Sequence, residues 1–274
     1  MARVPHLRQA RGPSHPRRPA RFCCSARGIG AIMSNVVALV QARMSSQRLP
    51  GKVLADIAGH PMITHVMRRV DAAPCTDQTW LCLSDDPADQ PLRDIGTNQA
   101  LAHGGTWHAV AYGVAISDVL GRMAKCVEHL PLDTVFVRIT GDCPLMDPML
   151  IASAVGNFDG TRMVSTSVTD DTGFPDGLDV EVFAGWMLAN AAAATTEPAD
   201  REHVTPWIRK HLGVRRVIPS TGMDGRSPFA DVHPSKWSVD TADDLAFVRE
   251  VHEALGPGLW GYPAVLDYLK RRRS

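Results

Sequence analysis

Hydrophobic positions fall in two kinds of block that take turns along the chain. Short unbroken runs, Val36–Val40, Thr79–Leu83 and Thr134–Ile139, carry the β-branched and aromatic residues of strands buried on both faces. Between them apolar residues recur at helical spacing. Met62, Val66, Met67 and Val70 do so after Pro61, and Val119, Leu120, Met123, Val127 and Leu130 after Ser117-Asp118. Ser84-Asp85-Asp86-Pro87 starts another helix and Gln99–Gly105 is expected to form a third strand. The pattern from Thr106 to Val114 favours neither state. Further on, helices are expected over Pro148–Phe158, Trp186–Thr196 and Arg201–Leu212, the last interrupted by Pro206. Strands are expected over Met163–Ser167, Leu178–Phe183 and Lys236–Val239. A helix capped through Asp240 and Asp243 runs to Leu255, and a short one spans Pro263–Leu269. Strands alternating with amphipathic helices predict an α/β fold, three-layered, with a mostly parallel sheet and helices on both faces.

That architecture says where chemistry belongs, because ligands of open parallel sheets bind beyond the carboxyl ends of the strands. The first strand empties into QARMSSQRLPGK, a loop bearing Arg43, Ser45, Ser46 and Arg48, a Pro50-Gly51 turn and then Lys52. Cations, hydroxyls and free N–H groups in a short loop suit phosphate oxygens. It is not a Walker A loop: Ser46 stands where that motif has its first glycine, and Val53 where it has Ser or Thr. Asp142 follows TVFVRITG and Asp240 follows KWSV, so two carboxylates can converge from different strand ends. Asp240 reads also as a helix N-cap, and Asp142 as a turn residue before Pro144.

Charge and cysteine content narrow the class. The 29 Lys and Arg equal the 29 Asp and Glu, but seven Arg and no acid fall in residues 1–32, so the remainder is acidic by seven charges. This argues against a nucleic-acid-binding body. No apolar run approaches the roughly 20 residues of a membrane span. Six cysteines show no CxxC pair and no zinc spacing, Cys82 and Cys143 read as buried thiols, and a reduced cytoplasm is expected. His60, His65, His103, His108 and His129 have no ligand spacing and read as surface or packing residues. Residues 1–35, rich in Arg and Pro, are expected to be a disordered leader or to precede a true start at Met33; a transit peptide or basic tail fits the same composition. Residues 36–274 are expected to form a single domain.

QARMSSQRLPGKVL resembles the signature loop of the cytidylyltransferases that activate acidic sugars. These are the 3-deoxy-manno-octulosonate and N-acylneuraminate enzymes and the related spore-coat polysaccharide type. RITGDCPLMDP at Arg138–Pro148, PDGLDVEVF at Pro175–Phe183, DREHVTPWI from Asp200 and KWSVDTADDL from Lys236 resemble later motifs of the family, in an order and spacing most like the spore-coat branch. The resemblance implies a nucleotide-diphospho-sugar-transferase-like fold with a small strand insertion that helps build a homodimer. It also implies Mg²⁺-dependent transfer of CMP from CTP to an acidic sugar with release of pyrophosphate, in cell-surface polysaccharide or glycoconjugate biosynthesis.

In that resemblance Asp142 and Asp240 are metal ligands, and Arg43 and Lys52 neutralise phosphates and the departing pyrophosphate. Ala42, Ser45 and Ser46 complete the nucleotide cradle, with Arg48 supporting the loop through an acidic partner. Thr140 takes the place beside the base. Asp118, in SDVLGRM, either approaches the nucleotide or caps its helix. On the acceptor side Arg201 and His203 are candidates for the sugar carboxylate, and Asp176, Asp179 and Glu181 for hydroxyls, with Arg138 a further cation. Arg201, Glu202 and His203 read equally as a structural ion-pair corner. The segment before Asp118, AYGVAIS, lacks the Arg-Gly of the family pattern. Two other classes compete. A nucleotide-sugar-dependent glycosyltransferase usually shows Asp-x-Asp, which this chain lacks. A non-catalytic nucleotide-binding relative is expected to have lost Lys52 or one of the two aspartates.

Overall fold

The computed structural model describes residues 35–102, 107–112, 115–222, 226–230, 232–233 and 235–272, so the leader expected over residues 1–35 lies, but for Asn35, outside the described residues. In chain order the elements begin with β1 (Val36–Gln41), a hairpin of β2 (Asp56–Ile57) and β3 (His60–Pro61), α1 (Met62–Asp71) and β4 (Gln78–Ser84). Next come α2 (Gln90–Ala102), β5 (Trp107–Tyr112), α3 (Val119–Val127), β6 (Val135–Thr140), α4 (Pro148–Gly156) and β7 (Met163–Ser165). The last are β8 (Glu181–Ala184), α5 (Gly185–Ala194), α6 (Pro198–His203), α7 (Pro206–Leu212), β9 (Val214–Arg216), α8 (Ala242–Leu255) and α9 (Tyr262–Arg272). Seven strands make one sheet in the order β5-β4-β1-β6-β8-β7-β9, and β8 alone runs against the rest.

The apolar runs explain the centre of this sheet. Val37 to Val40 of β1 are fully buried, as are Val137 of β6 and Leu83 of β4, so these strands are covered on both faces. The cover comes from the helical stripes: Met62, Ile63, Val66 and Val70 of α1, Leu120 and Met123 of α3, Val248 and Val251 of α8. Each such side chain removed from water contributes about 1.5–3 kcal/mol. Because β1, β4 and β6 are parallel and adjacent, Gln41, Ser84 and Thr140 end on one edge of the sheet.

Two expectations are corrected. The third strand is not Gln99–Gly105: α2 continues to Ala102, and the strand is β5 at Trp107–Tyr112. Gln-Ala-Leu-Ala are strong helix formers and extend the helix already begun, while Trp, Val and Tyr favour the ladder. Lys236–Val239 is not a ladder strand. A single bridge joins Lys236 to Asp176, and the Trp237 and Ser238 N–H groups both donate to the Asp176 carbonyl, at 2.6 and 3.0 Å. Gly177 makes this crossing possible: at φ 108° it lies against the Trp237–Ser238 peptide, where any Cβ would collide with backbone. The expected strand Leu178–Phe183 is found as β8 inside the main sheet, with β6 on one edge and β7 on the other. Its apolar residues Leu178, Val180 and Val182 are fully buried, which holds it there.

Candidate active site

The loop after β1 curls on itself. The Ser46 and Gly51 N–H groups both donate to the Met44 carbonyl (2.9 and 3.1 Å), and Asp89 pins the Met44 N–H at 2.8 Å. Gly51, at φ 70°, turns the chain into a 3-10 turn, Lys52–Leu54, that aims Lys52 inward. The Lys52 ammonium donates to Asp142 Oδ2 (2.8 Å), Asp240 Oδ1 (2.8 Å) and the Val239 carbonyl (2.6 Å). The Val239 N–H in turn donates to the Asp142 carbonyl at 2.9 Å. Main chain and one ammonium together therefore fix the two aspartates beside each other. Gly141 allows the approach, since a Cβ there would lie 2.9 Å from both the Ala42 Cβ and the Gln41 carbonyl oxygen.

Charges here are strongly stabilised. Burial lowers the Lys52 pKa, but Asp142 and Asp240 outweigh it and the net shift is upward. Burial raises that of Asp240, yet hydrogen bonds from Lys236 and Lys52 bring it down to about 2. Arg48 and Lys236 each reach Asp240 Oδ2 at 2.8 Å. Asp240 is not the cap of α8. Thr241 is, in a reciprocal capping box with Asp244, and this leaves the Asp240 carboxylate to the cations.

Above these groups opens a cavity of about 400 Å³. Ala42, Arg43, Ser46, Arg48, Lys52, Thr140, Asp142 and Asp240 line it. Two convergent carboxylates provide hard oxygen donors, and among the described residues no group of three or more His, Cys, Asp or Glu is placed to share a metal. That donor set fits Mg²⁺, which takes one or two carboxylates and completes its octahedron with phosphate and water oxygens.

The remaining expected residues do not stand at the cavity wall. Asp118 caps α3 through the Gly121 N–H (2.9 Å) and pairs with Arg201 at 2.5 Å, while Arg201 also donates to the Ala192 carbonyl. The pair thus clamps α3 against α6. Glu181 is buried between Arg138 (2.5 Å), Arg209 and Thr205, and these cations outweigh burial to lower its pKa. Arg138 is therefore held by Glu181 and by Gln41 Oε1 (2.9 Å). Asp179 closes a turn by accepting from the Gly177 and Val168 N–H groups. Burial, joined by the like charges of Asp179 and Asp142, raises the Asp176 pKa against Ser238 and Lys236. Ser45 and His203 are exposed.

Of the wall residues, Gln41, Gln47, Val53 and Gly141 had no assigned role in the sequence reading, and Glu202 had only a structural one. Glu202 lies 3.7 Å from Arg43. It is followed by a strained turn: buried Val204 has φ 73° and ψ −55°, and the Thr205 N–H donates back to the His203 carbonyl at 2.9 Å. This is a γ-turn of the rare positive-φ kind, costly for a β-branched residue. No residue in DREHVTPWI signals it. Gln41 had one available signal, a polar residue closing an apolar strand at the sheet's ligand edge.

The family model for cytidylyltransferases matches residues 37–253. The 3-deoxy-manno-octulosonate cytidylyltransferase of Anaeromyxobacter sp. (strain K) is 31% identical over 244 residues, covering 87% of this chain and 85% of that protein. The spore coat polysaccharide biosynthesis protein SpsF of Bacillus subtilis (strain 168) is 25% identical over 236 residues, covering 82% and 89%. A solved cytidylyltransferase from Leptospira borgpetersenii serovar Hardjo-bovis shares the fold with a TM-score of 0.73 at 19% identity, covering 87% of this chain and 95% of that one. The model spans most of the folded chain and the octulosonate enzyme exceeds 30% identity across it, so this protein belongs to the cytidylyltransferases, a family of nucleotidyltransferases.

Proposed function

We propose that the protein transfers CMP from CTP to a hydroxyl of an acidic sugar of the ulosonic or nonulosonic kind, with Mg²⁺, releasing pyrophosphate. The observation that carries this reading is the pair Asp142 and Asp240, bound to one Lys52 ammonium on the wall of a cavity at the carboxyl ends of β1 and β6. The acceptor class comes from relatives named for 3-deoxy-manno-octulosonate and 8-amino-3,8-dideoxy-manno-octulosonate.

Asp142 and Asp240 would hold the Mg²⁺, which when bound neutralises phosphate oxygens. Arg43, Arg48 and Lys52 supply the remaining positive charge for a triphosphate, and the Ser46 hydroxyl a further donor. The upward-shifted Lys52 and the downward-shifted Asp240 keep their charges through neutral pH. In the transfer an O–Pα bond forms as the Pα–O–Pβ bond breaks, pyrophosphate departs with that bond's electron pair, and the hydroxyl proton passes to solvent water. We place the reaction in the cytoplasm, with a second copy of the chain as the expected protein partner.

Pyrophosphate release should be measured with each of four ribonucleotides against a panel of ulosonic and nonulosonic acids, with and without Mg²⁺. Turnover is expected with CTP and Mg²⁺, and Asp142→Asn and Asp240→Asn should each lower kcat by about 10²-fold or more without loss of fold. Equal turnover with all four nucleotides, or none with any acid, overturns the reading.

A further inference from the structure

We infer that Gln41 is a specificity-determining residue of this site, whose side-chain amide presents N–H donors to a carbonyl, carboxylate or phosphate oxygen of the bound substrate. The argument begins with polarity. A glutamine amide has an accepting end and a donating end, and which one faces a cavity depends on what holds the other. Here the holder is Arg138, whose guanidinium has donors only; its Nη2 lies 2.9 Å from Gln41 Oε1. The oxygen end is therefore committed, and the NH₂ end is the one left for the cavity that Gln41 lines. No described residue accepts a hydrogen bond from it.

Arg138 cannot easily turn away and release this orientation. Its Nη1 is paired with buried Glu181 at 2.5 Å, and Glu181 also accepts from Thr205 and Arg209, with Arg209 anchored on Asp170. The chain of charge-assisted bonds thus runs from the far strands and α7 to one amide at the cavity wall. Gln41 is also fixed from behind: its carbonyl accepts the Gly141 N–H at 2.7 Å, one residue before Asp142. A rigid, oriented NH₂ group next to the paired aspartates selects for an acceptor atom and against a donor, because a donor placed there leaves both groups unpaired. Under the transferase reading, on which the identity of the ligands rests, two substrates carry such an acceptor: CTP, in its cytosine and its phosphates, and the acid, in its carboxylate.

The test uses Gln41→Glu and Gln41→Met in the full chain. Glutamate keeps an oxygen on Arg138 and replaces the NH₂ by a second oxygen, so its melting temperature should hold or rise. Methionine removes the donors without adding charge. Both variants should raise KM for one of the two substrates by about tenfold or more, leaving the other within twofold; the affected substrate is the one that supplies the oxygen. The inference is overturned if either variant keeps both KM values within twofold of wild type. Absence of wild-type turnover would count against the transferase reading. In that case the rise in melting temperature caused by Mg·CTP or by the acid is compared between wild type and variants, and equal rises overturn the role of Gln41.

Discussion

Lys52 shows how much one side chain can carry. Its ammonium is 9% exposed on the side-chain scale and holds two carboxylates that are 27% and 17% exposed. Replacing it by methionine leaves two like charges facing each other. Their partial exposure keeps the cost to about 1–3 kcal/mol, below that of a fully buried pair. Lys52→Met is therefore expected to lower the melting temperature in chelator and to recover most of the loss in millimolar Mg²⁺, while wild type responds little. Equal responses in the two proteins would sink the idea that the aspartates form the cation site. At this scale the sequence singled out Lys52 after a Pro-Gly turn and Asp142 and Asp240 after strands, and the fold brings the three side chains together. The sequence showed no sign of the contact made by Gln41, because Arg138 lies 97 residues away, nor of the ion pair that joins Arg138 to Glu181.

Among the elements, the link between α6 and α7 is the one most at odds with local preference. Two effects compete at Val204: its fully buried side chain contributes packing, and its positive φ costs about 1–3 kcal/mol. Alanine loses the packing and keeps most of the strain, whereas glycine loses slightly more packing and releases it. Val204→Gly is thus expected to melt at or above Val204→Ala, the reverse of the usual order in a buried segment. Thermal melts of the pair decide it; glycine clearly below alanine would show that the turn is unstrained. The same competition between local and tertiary terms explains which elements were legible. β1, β6, α1 and α3 follow periodicity, since their patterns are those of buried strands and one-sided helices. Lys236–Val239 read as a strand because its residues alternate, but loops take the hydrogen bonds that a ladder would.

At the scale of the whole molecule, a loss of stability in acid is expected from the cluster around His252. His252 is 7% exposed and packs edge-on to His65 and Trp260, with Arg69 stacked over Trp260. Burial first, then the positive fields of His65 and Arg69, lower its pKa from 6.5 to about 3 against the Pro144 carbonyl. The unfolded chain therefore binds a proton that the folded protein refuses between these values, so stability rises with pH across that window. It falls on acidification by about 1.4 kcal/mol per pH unit from this residue. Asp240 adds the same sign only below its ordinary value of 3.8. Urea denaturation at pH 7 and 4.5 should show the loss, and His252→Gln should flatten it; an unchanged slope in the variant would contradict this origin.

The peptide of Val239 is bonded on both sides, its N–H to Asp142 and its C=O to Lys52. The separation of the two aspartates is consequently a dimension of the backbone. A one-residue insertion or deletion between Trp237 and Asp240 would break one of these two bonds, and with it the fixed spacing of the carboxylates.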